Sequence, residues 1–430
     1  MRAMKKVMII SYVFPPAGGA AVQRVVKFVK YLGRYGWQPI IVTPKNPPVP
    51  VMDESYQNDL FPGLEVHRLP TLETSLNVGN SSSYNIFGTS PTSRLLIRLR
   101  KLAQVFLFPD PHILWLPTAL PRVKTLAKNS RAQAVLVSGP PFSSFLLGLA
   151  VSKSADIPLI LDFRDDWSGF FTHAYEAHGG WLAATASKSL ERILVNRASK
   201  VIGNTPSMTK RLAGLHGGDP AKYEWIPNGY DPDDFTFLKQ NPKVFRQDKL
   251  ELLYAGTVFE SHPLDGLWAG LSLLKKEQLE KLKVTVVGRV VDGLVVDPSL
   301  PGLKVEVHPY ESHQKVLRRM SLAGALVFTM ADLPGLNRMA PGKLFEYLAV
   351  RQPVLAISPP GEGVKILEAC HAGVWLHPRD SQSIADLISK WINERPATLP
   401  PPPAFFNREL LTARLARVLD QAIGQKITNH

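Results

Sequence analysis

The sequence is nearly without cysteine: Cys370 is the sole one in 430 residues. An internal disulfide framework is thereby excluded, and a reducing compartment is the natural setting. Cys370 sits in an apolar stretch with helical spacing, which reads as an inert buried thiol. Long apolar runs are lacking too, and none reaches the ~18–20 residues that cross a bilayer as a helix. The apolar run at 7–14 follows Lys5 and Lys6 and precedes small residues at 17–21, in the manner of a secretory signal. It is short, however, Pro15-Pro16 follows at once, and helical spacing resumes at Val22, Val25, Val26, Val29 and Leu32. A first strand, a glycine turn and a helix is the preferred reading. There is no G-x-x-x-x-G-K-[ST] phosphate loop and no G-x-S-x-G nucleophile elbow. The histidines are scattered without the spacing of a closed zinc site, so no metal is expected.

Acid is missing from the start of the chain. No Asp or Glu precedes Asp53, whereas Arg2, Lys5, Lys6, Arg24, Lys27, Lys30, Arg34 and Lys45 do. A second stretch holds Arg94, Arg98, Arg100, Lys101, Arg122, Lys124, Lys128 and Arg131 against only Asp110. Most of the net charge of +14 therefore lies in the first 131 residues. Such a half predicts an anionic partner, whether membrane or phosphorylated substrate, or else a solvated basic face. Nucleic acid is not expected, because no aromatics interleave the basic residues on a recognisable module.

What is present is an alternation of short β-branched runs with amphipathic segments, the mark of an α/β fold with parallel sheets covered on both faces. At this length two domains are expected. In the first half, strands are predicted at 7–12, 39–43, 134–138, 159–163 and 200–203, with helices at 20–35, 142–153 and 182–198. In the second half, strands are predicted at 250–255, 283–287, 304–308, 325–329, 354–357 and 374–376. Helices are predicted there at 312–321, 343–350, 364–371 and 381–393. The turn-rich stretch 227–249 marks the boundary, and the proline-rich 396–403 reads as a rigid connector to a last helix at 408–423. The domains are expected at 1–228, 229–404 and, for the returning helix, 405–430.

Residues 71–121 fall outside the alternation. There, Leu95, Leu96, Leu99, Leu102, Val105 and Phe106 interleave with basic residues over 93–107. A basic amphipathic helix lying in a membrane interface fits, and so does an ordinary helix with its leucine stripe in a core.

Four segments carry chemistry. Gly18-Gly19 joins the first strand to the first helix, where backbone N–H groups meet anionic oxygens, although the full G-x-G-x-x-G fingerprint is absent. Asp162-Phe163-Arg164-Asp165-Asp166-Trp167 ends a strand where open α/β sheets bind ligands, and Pro140, in Ser138-Gly139-Pro140-Pro141, would line the same crevice. Arg338-Met339-Ala340-Pro341-Gly342-Lys343-Leu344-Phe345-Glu346-Tyr347 leads into a helix. Lys343 at its start is unfavourable unless an anion is present, and a diphosphate would supply one. Gly256-Thr257 and Gly288-Arg289 end two further strands, and Gly361-Glu362-Gly363 follows a third.

These features resemble a GT-B glycosyltransferase of the family-four type. The resemblance rests on Gly18-Gly19, Ile226-Pro227-Asn228-Gly229-Tyr230-Asp231, Tyr254-Ala255-Gly256-Thr257, and Pro341 through Ala349 with Pro353-Val354-Leu355. It implies two facing Rossmann-like domains with a C-terminal helix crossing back to the first. It further implies a nucleotide-sugar donor, UDP- or GDP-linked, on the C-terminal domain and a saccharide or lipid-linked acceptor on the N-terminal one. Transfer would proceed with retention and no required cofactor, in the cytoplasm on the inner face of the cytoplasmic membrane. Donor binding is assigned to Gly256, Thr257, Gly288, Arg289, Arg338, Pro341, Gly342, Lys343, Leu344 and Glu346, the last to the ribose. Acceptor binding falls to Gly18, Gly19, Pro140, Asp162 and Trp167, and catalysis to Asp165, Arg164 and Lys343. The chain departs from the family pattern twice. Arg338 stands where many members have the first of two Glu residues, and the basic residue usual after the strand-end Gly-Thr is replaced by nothing stronger than His262.

Overall fold

The computed structural model describes residues 4–45, 47–49, 51–73, 107–171, 180–240, 249–260, 262–291 and 293–428. The chain divides into two compact units, Met1–Pro227 with Glu409–His430, and Asn228–Arg408. The segment read as a basic amphipathic helix lies, but for its last residue, outside the described residues.

The first unit is a parallel sheet in the order β3-β2-β1-β4-β5-β6-β7. Its strands are β1 (Lys5–Ser11), β2 (Trp37–Pro44), β3 (Glu65–Leu69), β4 (Ala134–Gly139), β5 (Leu159–Phe163), β6 (Lys200–Gly203) and β7 (Tyr223–Trp225). The centre is apolar throughout, β4 and β5 being buried at every position, as strands covered on both faces require. Helix α1 (Ala20–Leu32) buries Val22, Val25, Val26 and Val29 on one side of the sheet. Helices α2 (Leu116–Ser130) and α3 (Ser144–Ala155) cover the other. Helices α4 (Gly180–Arg197) and α5 (Pro206–His216) follow β5 and β6.

Strand order reverses between β1 and β4, so the C-terminal ends of these strands flank the crevice where such sheets take ligands. Besides the three-residue β7, three elements here have no counterpart in the sequence expectations. Edge strand β3 has only Leu69 buried. Helix α2 carries Pro117 in its first turn and Pro121 inside it. Helix α5 starts at Pro206 behind the Thr205 side chain, which accepts from the Met208 N–H.

The second unit is a parallel sheet in the order β10-β9-β8-β11-β12-β13. Its strands are β8 (Leu250–Ala255), β9 (Leu282–Val287), β10 (Lys304–His308), β11 (Ala325–Thr329), β12 (Val354–Ile357) and β13 (Gly373–Leu376). Its longer helices are α6 (Asp265–Leu271), α7 (His313–Leu322), α8 (Gly342–Val350), α9 (Glu362–Ala369) and α10 (Ser381–Asn393). Cys370 caps α9 and is half-buried, so it is not a core thiol as its sequence context suggested.

The last helix, α11 (Arg408–Thr428), returns to the first unit. Leu411, Leu415, Val418, Leu419 and Ala422 are buried in one cluster with Val7, Ile9, Val25 and Trp37. Among the described residues, no helix is long and apolar enough to cross a membrane.

Candidate functional site

In the second unit, the C-terminal ends of β8 and β9 are held together through glycine. Gly256 and Gly288 take φ of 157° and 140°, and a Cβ on Gly288 would stand 2.1 Å from the Gly256 carbonyl oxygen. Only glycine tolerates that approach. The two loops then pair. The Val258 N–H donates to Arg289 O at 2.8 Å, and the Val291 N–H donates to Val258 O at 3.0 Å. Gly256, Thr257, Gly288 and Arg289 are thereby gathered at one strand end.

Helix α8 is anchored over the same edge. The Tyr347 hydroxyl accepts from the Ala255 N–H at 3.1 Å and donates to Val327 O at 3.3 Å, so it bridges β8 and β11. Lys343 lies one turn earlier on that face of the helix. The first turn of α8 has no acidic residue, and Pro341 at its N-cap offers no side-chain acceptor. Burial pushes the Lys343 ammonium down to about 8, with Glu346 opposing the shift. A cation held below its usual pKa is one that an arriving anion restabilises. Arg338 ends the short turn Leu336–Arg338 just before this helix. Helix α9 starts against that turn, since a Cβ on Gly361 would meet Asn337 O at 2.8 Å.

Glu346 stands differently from its sequence expectation. It is buried, and its carboxylate lies 2.7 Å from His313 Nε2 on α7. It already serves an internal partner, so any ribose contact competes with that link.

In the first unit, the loop after β5 divides by role. Asp162 is fully buried and takes a bidentate grip from Arg24 on α1, with Nη2 to Oδ1 at 2.7 Å and Nε to Oδ2 at 2.9 Å. The Ser138 hydroxyl donates to the same carboxylate at 2.8 Å. Arg24 also donates to the carbonyls of Ile226 and Pro227, each at 2.9 Å. Asp162 is thus an interior tie among α1, β4, β5 and the segment after β7, and has no surface to offer an acceptor.

Trp167 is likewise interior, stacked on Phe142 with ring centroids 4.6 Å apart. Arg164 donates to the carbonyls of Ala21 at 2.8 Å and of Pro140. It latches the start of α1 to the loop after β4, which is a positioning role. Asp165 alone of the three carboxylates is not fully buried. Burial raises its pKa, the Arg164 guanidinium opposes the rise, and Asp166 adds to it. Gly18 and Gly19 are partly exposed, and Gly19 takes φ of 94°, where a side chain would be strained.

Behind this loop lies a network that the sequence analysis did not identify. Glu191 on α4, fully buried, accepts from the Ser168 N–H and hydroxyl, each at 2.9 Å, and pairs with His216 at 2.8 Å. Arg211 on α5 binds Asp166. Burial pushes the Glu191 carboxyl up, but His216, Arg211 and Ser168 together hold it below its ordinary value.

Two parallel, doubly wound sheets with glycine-rich loops at their C-terminal strand ends define the GT-B class of α/β proteins. The chain belongs to Glycosyltransferase Family 4, whose model matches residues 17–234. HepE (Alr3699) of Anabaena, solved in complex with UDP and glucose, is 15% identical, with 99% of this chain and 100% of that chain covered and a TM-score of 0.57. The sucrose-phosphate synthase of Thermosynechococcus elongatus is 14% identical over 98% of this chain and 97% of that one, at 0.57. A putative UDP-N-acetylglucosamine 2-epimerase from Listeria monocytogenes is 12% identical over 98% of each chain, at 0.53. At these identities the likeness is one of fold. No curated protein matches the sequence.

Proposed function

We propose that this glycosyltransferase moves a sugar from a UDP- or GDP-sugar to a hydroxyl of a cell-surface glycan or lipid-linked saccharide, with retention and without a required cofactor. The reading rests above all on two features of one strand end: the paired glycines Gly256 and Gly288, and a helix bonded to β8 through Tyr347 that carries Lys343, held below its usual pKa, one turn earlier. The donor diphosphate lies against Gly256, Thr257 and the start of α8, with Arg338 and Arg289 as further cations. Electrostatic stabilisation of the departing diphosphate is the main catalytic effect. The acceptor approaches the first unit over Gly18, Gly19 and Pro140, with Asp165 as the carboxylate nearest the reacting hydroxyl. HepE, solved with UDP and glucose, shares the fold and supports a uridine donor by analogy.

A thermal-shift panel of UDP, GDP, ADP and their sugars on wild type and Lys343→Ala tests the donor site. Stabilisation by one nucleotide, reduced at least tenfold in apparent affinity by the substitution, is expected. No stabilisation by any nucleotide sinks the reading. The fold is also that of a putative 2-epimerase, so consumption of the donor without acceptor would favour epimerisation over transfer. A folded chain that binds no nucleoside diphosphate would instead be a non-catalytic subunit of a membrane-associated complex.

A further inference from the structure

In the donor-site reading Lys343 takes the diphosphate, and Glu346, three residues on, is held by a histidine. Glu346 lies roughly 4.5 Å further along α8 than Lys343 and beside it on the helix surface. A nucleotide's ribose hydroxyls stand at a similar remove from their own phosphate. The Tyr347 hydroxyl fixes the turn of the helix, through Ala255 at 3.1 Å and Val327 at 3.3 Å. His313 comes from another element. The Gly288 N–H donates to His308 O at 3.0 Å, so the end of β10 is tied to the strand end that carries Gly288, and five residues later the chain enters α7 at His313. Helix α7 buries His313, Val316, Leu317 and Met320, the i, i+3, i+4 and i+7 positions of one face. An imidazole at the head of that apolar face is held by packing, and its Nε2 lies 2.7 Å from Glu346 Oε1. A carboxylate only accepts, so the ring carries its proton on Nε2 and donates it.

We infer that His313 is a positioning residue for the donor's ribose: it fixes the Glu346 carboxylate so that the site accepts a ribose and discriminates against its deoxy forms. This rests on the donor-site reading above, with Glu346 as the ribose acceptor. A carboxylate has about four acceptor directions. The competition at Glu346 is therefore for direction and not for capacity. His313 takes one direction on Oε1, and a hydroxyl must arrive along another. Without the imidazole donor the side chain is free to rotate, and ordering it costs part of what the ribose contact gains. With the donor in place the acceptor stands ready. A nucleotide lacking the matching hydroxyl then leaves a buried carboxylate one hydrogen bond short, which is how polar sites reject an analogue that lacks one group. His313 touches no substrate atom in this role; it acts through Glu346.

The test is calorimetric binding of UDP, GDP and ADP, and of their 2′-deoxy and 3′-deoxy forms, to the full chain. Wild type is expected to hold one of the three about tenfold more tightly than at least one of its deoxy forms. His313→Leu should lose about tenfold for that ribonucleotide while the disfavoured deoxy form changes by less than about twofold, so the preference collapses. His313→Asn, too short to reach the carboxylate, should do the same and stands in if the leucine variant does not fold. His313→Gln, whose amide can donate to Glu346, should restore most of the preference. A histidine that merely fills the core would, when replaced, weaken ribo and deoxy forms alike. If wild type binds a nucleotide without preferring ribose, the inference is overturned and the donor site stands. The same holds if His313→Leu and His313→Asn keep the full preference or weaken both forms equally. If none of UDP, GDP and ADP binds to folded wild type, the donor-site reading falls and the inference with it.

Discussion

Arg24 and Asp162 meet in the first unit with about 1% side-chain exposure each, so neither charge is balanced by water. All three guanidinium nitrogens donate, to Asp162 and to two backbone carbonyls. Removing one partner strands the other, a loss of about 3–5 kcal/mol for a buried pair. Arg24→Met is therefore expected to lower stability by that amount, read from the urea midpoint. Asp162→Asn, which keeps its shape and one acceptor, should cost less. An Arg24→Met protein as stable as wild type would show that the pair is not a tie at all.

At the scale of the element, α11 shows how a helix late in the sequence serves a sheet built from its beginning. Leu415 is fully buried among residues of β1, α1 and β2. Leu415→Ala is expected to destabilise the protein by about 2–5 kcal/mol, and Leu410→Ala, on the exposed side, by far less. Thermal midpoints of the pair decide between them. The sequence announced this helix through its spacing, as it did the central strands, because full burial demands uninterrupted β-branched and aliphatic residues. Edge strand β3 gave no such signal, since most of its side chains meet solvent. Helix α2 was hidden by its two prolines, one harmless in the first turn and one accommodated inside. In the candidate site, the glycines and Lys343 stood out in the sequence because backbone geometry and a cation at a helix start restrict residue type locally. The partnership of Glu346 with His313 was not, because it joins residues 33 positions apart and only the packed sheet brings them together.

At the scale of the whole molecule, the excess positive charge is sorted by the fold. Of the acid-free opening segment, Arg24 binds Asp162, Lys27 and Lys30 bind Asp59, Arg34 binds Glu409 and Lys5 binds Asp420. That stretch is therefore largely neutralised from within, and is not the open basic face that composition suggested. The later residues Arg122, Lys124, Lys128 and Arg131 are all exposed, on or just after a helix that has no acid. If the protein meets an anionic membrane surface, this helix supplies the contact. Sedimentation with vesicles of phosphatidylglycerol and phosphatidylcholine should fall when Arg122, Lys124 and Lys128 become glutamine, and should vanish at high salt. Unchanged binding in the triple variant would remove the helix from consideration.

The return of α11 also sets an order of events. The first unit is interrupted at Pro227 and resumes at Glu409, so its core is finished only by residues synthesised after the whole second unit. On the ribosome, some two hundred residues of sheet and helix emerge with the apolar bed for α11 uncovered. They stay so while the whole second unit is made. The unit that begins earlier is thus completed after the one that follows it, and the nascent protein carries an open apolar face, a binding place for chaperones, until α11 emerges.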